Sequence, residues 1–339
     1  MKDRYYSIAL IVVFIGILLI PLRTLALDPN AIESSFYTRG RLITMVADLR
    51  YSLGDRIFPS AIVGNNGWLV FTAEGDIEDY QRVNLFTEEE LAQFQKNLDA
   101  LSAKYAERGI TLLVIVPPNK NSIYPERVPS RIPVLGSETK LNQVVTYLQT
   151  HGQMQVVDLR PALIAAKSEH QVYYATDTHW NDYGVYIAYS VLMTELNKVY
   201  PNLTAHPIPD FKIVERRPEQ LDLSNNMGIT LLPESKIQFV HQFDLHTNYK
   251  SINLGQRKLM FSYNPDVSLP NLVMYYDSFF FSVIPMLGEH FHKGYYIQNY
   301  TGGGLWNLSW VDEQDPDVVI IEFSERYLDD LPRFIDPNK

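Results

Sequence analysis

A mostly parallel α/β sheet with helices on both faces is the fold class predicted by three features of the sequence. Short, nearly continuous apolar runs such as Leu112-Leu113-Val114-Ile115-Val116 and Leu272-Val273-Met274-Tyr275-Tyr276 have the pattern of strands buried on both faces. Segments with apolar residues at helical spacing stand between such runs. The alternation extends over most of 339 residues, 46% of them hydrophobic, which is ample for one large domain.

Each element has a local reason. Residues 28–59 are polar and mixed, which predicts a tether with a first helix around 44–52. Gly64-Asn65-Asn66-Gly67 is a turn signal ahead of a short strand at 68–71. Thr87 and Glu90 have capping-box spacing, and Leu91, Phe94, Leu98, Leu101 and Tyr105 then recur on one helical face up to Gly109. Strand 111–116 stops at Pro117-Pro118, and a helix at 141–148, a strand at 155–159 and a helix at 161–167 follow. Asn181 or Asp182 caps the next helix, which runs to about Val199 with Ile187, Val191, Leu192 and Leu196 as its buried set. Residues 200–268 break the rhythm with several prolines and polar strands such as 236–243, so they read as an insertion, a lid or a substrate wall. Strand 271–276, a helix over 279–290 that Pro285 kinks or shortens, and strand 317–323 complete the core.

At the N-terminus, Lys2 and Arg4 precede an uncharged, mostly apolar run from Tyr5 to Leu22, and Arg23 ends it. Its length is at the lower end for a spanning helix, and residues 24–27 lack a small-x-small cleavage site. Residues 1–27 are therefore expected to be an uncleaved signal anchor, with the positive flank in the cytoplasm and the domain at 60–335 outside it. A cleaved signal peptide is the alternative.

Composition removes several function classes. A net charge of −10 argues against nucleic acid and fits poorly with electrostatic capture of a polyanion. Cysteine is absent, which excludes disulfides, thiolate zinc sites and a Cys nucleophile. His290 and His292 have no third ligand at matching spacing, and Gly302-Gly303-Gly304 lacks the Lys-Ser/Thr of a phosphate loop. No metal or cofactor is expected.

What remains is an acid, an imidazole and a hydroxyl. Thr176-Asp177-Thr178-His179-Trp180-Asn181 lies about a hundred residues before Tyr276-Asp277-Ser278-Phe279. A serine hydroxyl becomes nucleophilic when a His takes its proton and a carboxylate fixes that His in the right tautomer. Asp177 and His179, two residues apart, can project together, while Ser278 falls between a strand and a helix whose N-terminus would favour an oxyanion. Read alone, Asp-Thr-His is also an Asx-type turn and Asp-Ser also an N-cap. Ligands in open α/β sheets sit at the carboxyl ends of strands, which adds Asn119 and Lys120 to the same rim as substrate contacts, oxyanion donors or a capped loop. Trp180 either packs under the triad or fills the core. A cleft wall is expected from 201–258, opposite Tyr295, Tyr296 and Tyr300.

These motifs resemble the bacterial cell-envelope acetyltransferases of the SGNH-hydrolase superfamily, the group that contains the alginate O-acetyltransferase proteins. The likeness rests on Asn66-Gly67-Trp68-Leu69-Val70-Phe71, Val116-Pro117-Pro118-Asn119-Lys120 with Ile123-Tyr124-Pro125-Glu126, the Asp-Thr-His-Trp block, and Asp277-Ser278-Phe279. The tail from Pro316 to Glu322 with Ser324-Glu325-Arg326 fits as well, so the likeness spans roughly residues 60–330. Asp/His comes before Ser here, the reverse of ordinary superfamily members and the order of the acetyltransferase branch. The resemblance implies a three-layer, flavodoxin-like domain with Ser278 as nucleophile, His179 as base and Asp177 as its orienter. It further implies a polysaccharide acceptor and a membrane acyltransferase that supplies acetyl groups. Tyr276 departs from the Gly that many relatives carry, so its side chain is expected either to crowd the nucleophile turn or to reshape the acyl pocket as a substrate contact, and the second oxyanion donor is left open. A carbohydrate esterase with water as acceptor and a non-catalytic envelope scaffold are the competing readings.

Overall fold

The computed structural model describes residues 11–13, 15–16, 39–254, 257–298 and 308–335. Most of the apolar run 5–22 lies outside the described residues, as do Tyr300 and Gly302-Gly303-Gly304. Among the described residues no helix is long and apolar enough to cross a membrane.

Strands β1 (Ala61–Val63) and β2 (Leu69–Phe71) form an antiparallel pair. The turn between them needs left-handed backbone, which Asn66 and Gly67 supply at φ 56° and 78°. Strands β3 (Thr111–Val116) and β4 (Val156–Asp158) belong to the main sheet, whereas β5 (Phe211–Glu215) and β6 (Ile237–His241) form a separate antiparallel pair. Next come β7 (Asn248–Leu254), β8 (Arg257–Tyr263), β9 (Asn271–Tyr276), β10 (Lys293–Gln298) and β11 (Val318–Glu322). The main sheet has the order β4-β3-β11-β9-β10-β8-β7. Pairing is parallel from β4 through β10 and antiparallel for β8 and β7 at the far edge.

Side-chain alternation along the central strands divides the core in two. Leu272, Met274 and Tyr276 of β9 point to one face with Val318 and Ile320 of β11, whereas Val273, Tyr275, Val319 and Ile321 point to the other. On the second face lie α1 (Glu88–Ala106) and α2 (Lys140–His151). The capping box at Thr87 and Glu90 is formed, and Leu91, Phe94, Leu98, Leu101 and Tyr105 are buried as their spacing predicts. The first face is covered by α3 (Asp182–Asn197), capped by the Asn181 side chain on the Tyr183 and Gly184 amides. Its inward stripe is rotated from the expected one: Val185, Ala188, Tyr189, Leu192, Met193 and Leu196 are buried, while Ile187 and Val191 are half-buried.

Three expectations need correction. Residues 39–58 are not simply a tether: the helix Arg39–Ser52 buries Ala47 against Leu223, Met227 and Ile229, and Asp48 accepts hydrogen bonds from Thr230. Within the segment 200–268, β7 and β8 are strands of the main sheet, and Tyr295 and Tyr296 belong to β10, where Tyr296 is fully buried and forms no cleft wall. The helix over 279–290 is broken into a 3₁₀ turn Phe280–Ser282, the short helix Ile284–Leu287 and a 3₁₀ turn Gly288–His290, with Pro285 in the first turn of the middle piece. No long helix dipole therefore stands behind Ser278.

Candidate active site

The parallel strands put the ends of β3, β9, β11 and β4 on one rim, with Val116 opposite Asp158, Ile115 opposite Glu322 and Tyr275 opposite Ile321. Ser278 follows β9 by two residues, and its turn is fixed from below. Asp277 accepts hydrogen bonds from the amides of Phe279 (2.8 Å) and Ser324 (3.0 Å), and its own amide donates to Glu322 at 2.6 Å. Ser278 itself is exposed.

Burial first, and then the neighbouring Asp277 charge, push the Glu322 carboxyl well above its usual range. Its folded pKa exceeds the unfolded one, so its contribution to stability is complete below about pH 4.5 and declines as pH rises towards the folded value. Glu322→Gln is expected to keep the bond to the Asp277 amide while flattening that decline. Thermal melts from pH 5 to 9 check it; an unchanged slope would show that Glu322 does not carry it.

Asp177 and His179 lie on a tight loop. Tyr173 and Trp180 form an antiparallel bridge across its base, and the Tyr174 amide donates to the His179 carbonyl. Asp177 Oδ1 accepts from the His179 amide at 2.9 Å and lies 2.7 Å from His179 Nδ1. His179 Nε2 is 2.8 Å from Ser278 Oγ. The three groups that the motifs single out are thus in one hydrogen-bonded line. Burial works to raise the Asp177 pKa, but the hydrogen bonds and charge of His179 outweigh it and hold the carboxyl well below the usual range.

The line ends in a small cavity of about 200 Å³ with Phe71, Glu74, Asp222, Phe279, Arg326 and Tyr327 in its wall. A larger cavity of about 400 Å³ around Tyr80, Arg160 and Ile164 contains none of these groups, so size does not mark the chemistry here. Arg326 is nearly buried, lies over the Phe71 ring at 4.9 Å and the Phe279 ring at 5.5 Å, and stands 3.8 Å from Glu74.

The expected substrate contacts are corrected. Asn119, Lys120, Trp180 and Tyr276 are all buried, and none lines the cavity with Ser278. Lys120 donates instead to the carbonyls of Tyr174 (3.3 Å), Ala175 (3.1 Å) and Asp177 (2.6 Å), clamping the loop from beneath. The Trp180 indole donates to the Phe279 carbonyl at 2.9 Å, which ties the His loop to the Ser turn. The Asn119 main-chain N–H donates to Glu325 at 2.8 Å, and Tyr276, the last residue of β9, fills the core. His290 and His292 do not converge: the first bonds the Tyr189 hydroxyl and the second the Asn264 carbonyl.

Two residues that sequence reasoning did not single out complete the loop. Glu234 accepts from the Ala175 and Thr176 amides and the Thr176 hydroxyl. Asp222 accepts from the Thr178 amide and hydroxyl at 2.8 and 2.5 Å. Both come from the segment between the two motif blocks, and no spacing rule reaches across such a separation.

Known proteins bear on this site. The family model "SGNH hydrolase-like domain, acetyltransferase AlgX" matches residues 61–253, more than half of the chain; that range contains Asp177 and His179 and ends before Ser278. A probable alginate O-acetylase AlgJ of Azotobacter vinelandii is 27% identical over 153 residues, which is 45% of this chain and 38% of that protein, so the match spans well under half of the relative. Among solved structures, Bacillus cereus PatB1 with a sulfonyl adduct superposes with a TM-score of 0.57 at 14% identity, covering 81% of this chain and 97% of that one. The O-acetyltransferase domain of Pseudomonas putida AlgJ gives a TM-score of 0.50 at 19% identity over 81% and 92% of the two chains. At these identities the superpositions establish a shared fold.

Proposed function

We propose that this chain, which belongs to the SGNH hydrolase-like domain family of the acetyltransferase AlgX, is an O-acetyltransferase that passes an acetyl group through Ser278 to hydroxyls of a polysaccharide. The observation that carries this reading is the unbroken line from Asp177 through both ring nitrogens of His179 to Ser278 Oγ. In the first half-reaction His179 Nε2 takes the Ser278 proton as Oγ attacks the acetyl carbonyl. The bond to the donor's leaving group breaks, and that group takes the proton from Nε2. In the second, a sugar hydroxyl gives its proton to Nε2 and attacks the acetyl-serine; the ester bond to Oγ breaks and Ser278 regains the proton. Asp177 keeps Nδ1–H aimed and offsets the imidazolium charge. Arg326, in the wall of the same cavity, is the cation available to oppose the negative charge that develops on the carbonyl oxygen.

The acceptor class follows from the relative named as an alginate O-acetylase. The donor is a membrane acyltransferase partner, and the place of action is the extracytoplasmic side of the inner membrane, with the N-terminal apolar run as anchor. These assignments rest on family resemblance and on the sequence of residues 1–27.

An esterase would use the same relay with water as acceptor. To separate the two, the full chain is given an activated acetyl ester with and without neutral or uronate oligosaccharides, and products are followed by mass. Acetylated sugar formed at the expense of free acetate is expected. Acetate release that no sugar diverts, even with the membrane partner present, would favour the esterase.

A further inference from the structure

We infer that Asp222 is a positioning residue for the base: it fixes the Asp177–His179 turn and sets a second carboxylate beside Nδ1 of the imidazole. This rests on the reading of Ser278, His179 and Asp177 as one unit. Asp222 opens the short helix Asp222–Met227, in the segment that separates the Asp/His block from the Ser block. Its Oδ1 accepts from the Thr178 amide at 2.8 Å, and its Oδ2 accepts from the Thr178 hydroxyl at 2.5 Å. The same Oδ2 stands 3.6 Å from His179 Nδ1, and the Thr178 hydroxyl oxygen lies 3.2 Å from that nitrogen. The Asp222 amide donates to Asp177 Oδ2 at 3.3 Å. Thr178, the residue between acid and base, is thus gripped on its main chain and side chain by the Asp222 carboxylate, while the Asp222 main-chain amide donates to the acid.

Asp177 accepts the hydrogen bond from Nδ1–H at 2.7 Å, so Asp222 is not needed to choose the tautomer. What it adds is geometry and charge. Lys120 stands beneath the loop with its ammonium on the Asp177 carbonyl, and Arg326 lies across the cavity, so two cations face the loop that carries the ring. Glu234 under the loop, Glu74 in the cavity wall and Asp177 oppose them, and Asp222 is the carboxylate nearest to Nδ1 after Asp177. Burial first, and then the Asp177 charge, raise the Asp222 pKa, in keeping with two acids crowded around one ring. The catalytic base is therefore completed by a segment outside both motif blocks. Changes in that segment reach the chemistry through Thr178.

The test is the pH profile of kcat/KM for acetylation of Ser278 by p-nitrophenyl acetate, with full-length protein. Asp222→Asn removes a negative charge 3.6 Å from the ring and is expected to move the acid limb of the profile down by about one pH unit and to lower the plateau about tenfold. Thr178→Val, which deletes the hydroxyl bond and keeps the Asp222 charge, should lower the plateau with the limb in place. Asp222→Glu, which keeps the charge, should hold the wild-type limb whatever its rate, and it serves if the Asn variant does not fold. A slower Asp222→Asn enzyme with an unmoved limb, or a Glu variant whose limb moves with the Asn variant's, would overturn the inference. A wild-type rate equal to that of Ser278→Ala would remove the underlying reading, and the inference with it.

Discussion

Ser278→Ala is expected to lower acetyl transfer by on the order of 10⁴- to 10⁶-fold, with His179→Ala nearly as damaging and the double variant scarcely worse than either. The non-additivity follows from the geometry. With Nε2 2.8 Å from Ser278 Oγ and Nδ1 2.7 Å from Asp177, each group acts only through its neighbour, so the first removal already ends the relay. Asp177→Asn should cost on the order of 10⁴-fold, because an amide at that place stabilises the wrong tautomer. Single-turnover acetylation followed by intact mass checks all three. The +42 Da adduct, about the mass of an added acetyl group, should be absent from Ser278→Ala. A Ser278→Ala protein that still transfers acetyl at the wild-type rate would sink the assignment. Additive losses in the double variant would mean that Ser278 and His179 do not work as one unit.

The sequence was most informative where chemistry and local structure coincide. The paired runs of β3, β9 and β11 are apolar on both faces because both faces are covered, so periodicity alone exposed the parallel core. The helix behind Thr87 and the cap at Asn181 were readable because caps are local hydrogen bonds between residues two or three apart. β10 is not legible in the sequence: Lys293-Gly294-Tyr295-Tyr296 carries a charge and a glycine where buried strands usually have branched aliphatics. β7 and β8 read as an insertion because an antiparallel edge leaves Tyr249, Ile252 and Tyr263 partly in solvent and needs polar partners.

The same contrast holds within the site. Asp177, His179 and Ser278 are legible as candidates because acid, imidazole and hydroxyl occur together in one chain, although each block alone also reads as a turn or a cap. Their supports are not. Glu322 under the Ser turn, Glu234 on Thr176 and Asp222 on Thr178 are carboxylates whose partners are 44 to 58 residues distant, and an isolated Asp or Glu in sequence reads as solvated surface. The four family blocks meet for one purpose. The Leu69 amide donates to the Ala175 carbonyl, Trp68 packs on Tyr124 at 4.5 Å, Lys120 holds three loop carbonyls, and Trp180 reaches the Phe279 carbonyl. Residues that read as substrate contacts in the sequence are the frame of the loop that carries Asp177 and His179.

Lys120→Met should therefore damage the enzyme without touching substrate, lowering stability by about 3 kcal/mol and activity by more than the fraction unfolded explains. Two effects oppose each other. Burial depresses the Lys120 pKa to about 8 against the pull of Asp222 and Asp177, so a charged ammonium here carries a penalty that methionine relieves. By the usual conversion of pKa shift to free energy that penalty is about 3 kcal/mol at neutral pH. Against it stand three hydrogen bonds from a charged donor, each contributing roughly 1.5–3 kcal/mol, whose carbonyl acceptors would be left with no partner from Lys120. The hydrogen bonds win. The sign of the pH dependence differs from that of Glu322: because the folded pKa is below the unfolded one, the Lys120 penalty is complete below about pH 8 and disappears as pH rises towards about 10.4. Wild-type protein should thus gain stability from this group across that window, and Lys120→Met should not. Denaturant unfolding at pH 7 and pH 9.5, with acetylation rates measured on the same preparations, separates the outcomes. A Met variant as stable and as active as wild type would show that the loop holds itself, and that Glu234 and Asp222 suffice to present His179 to Ser278.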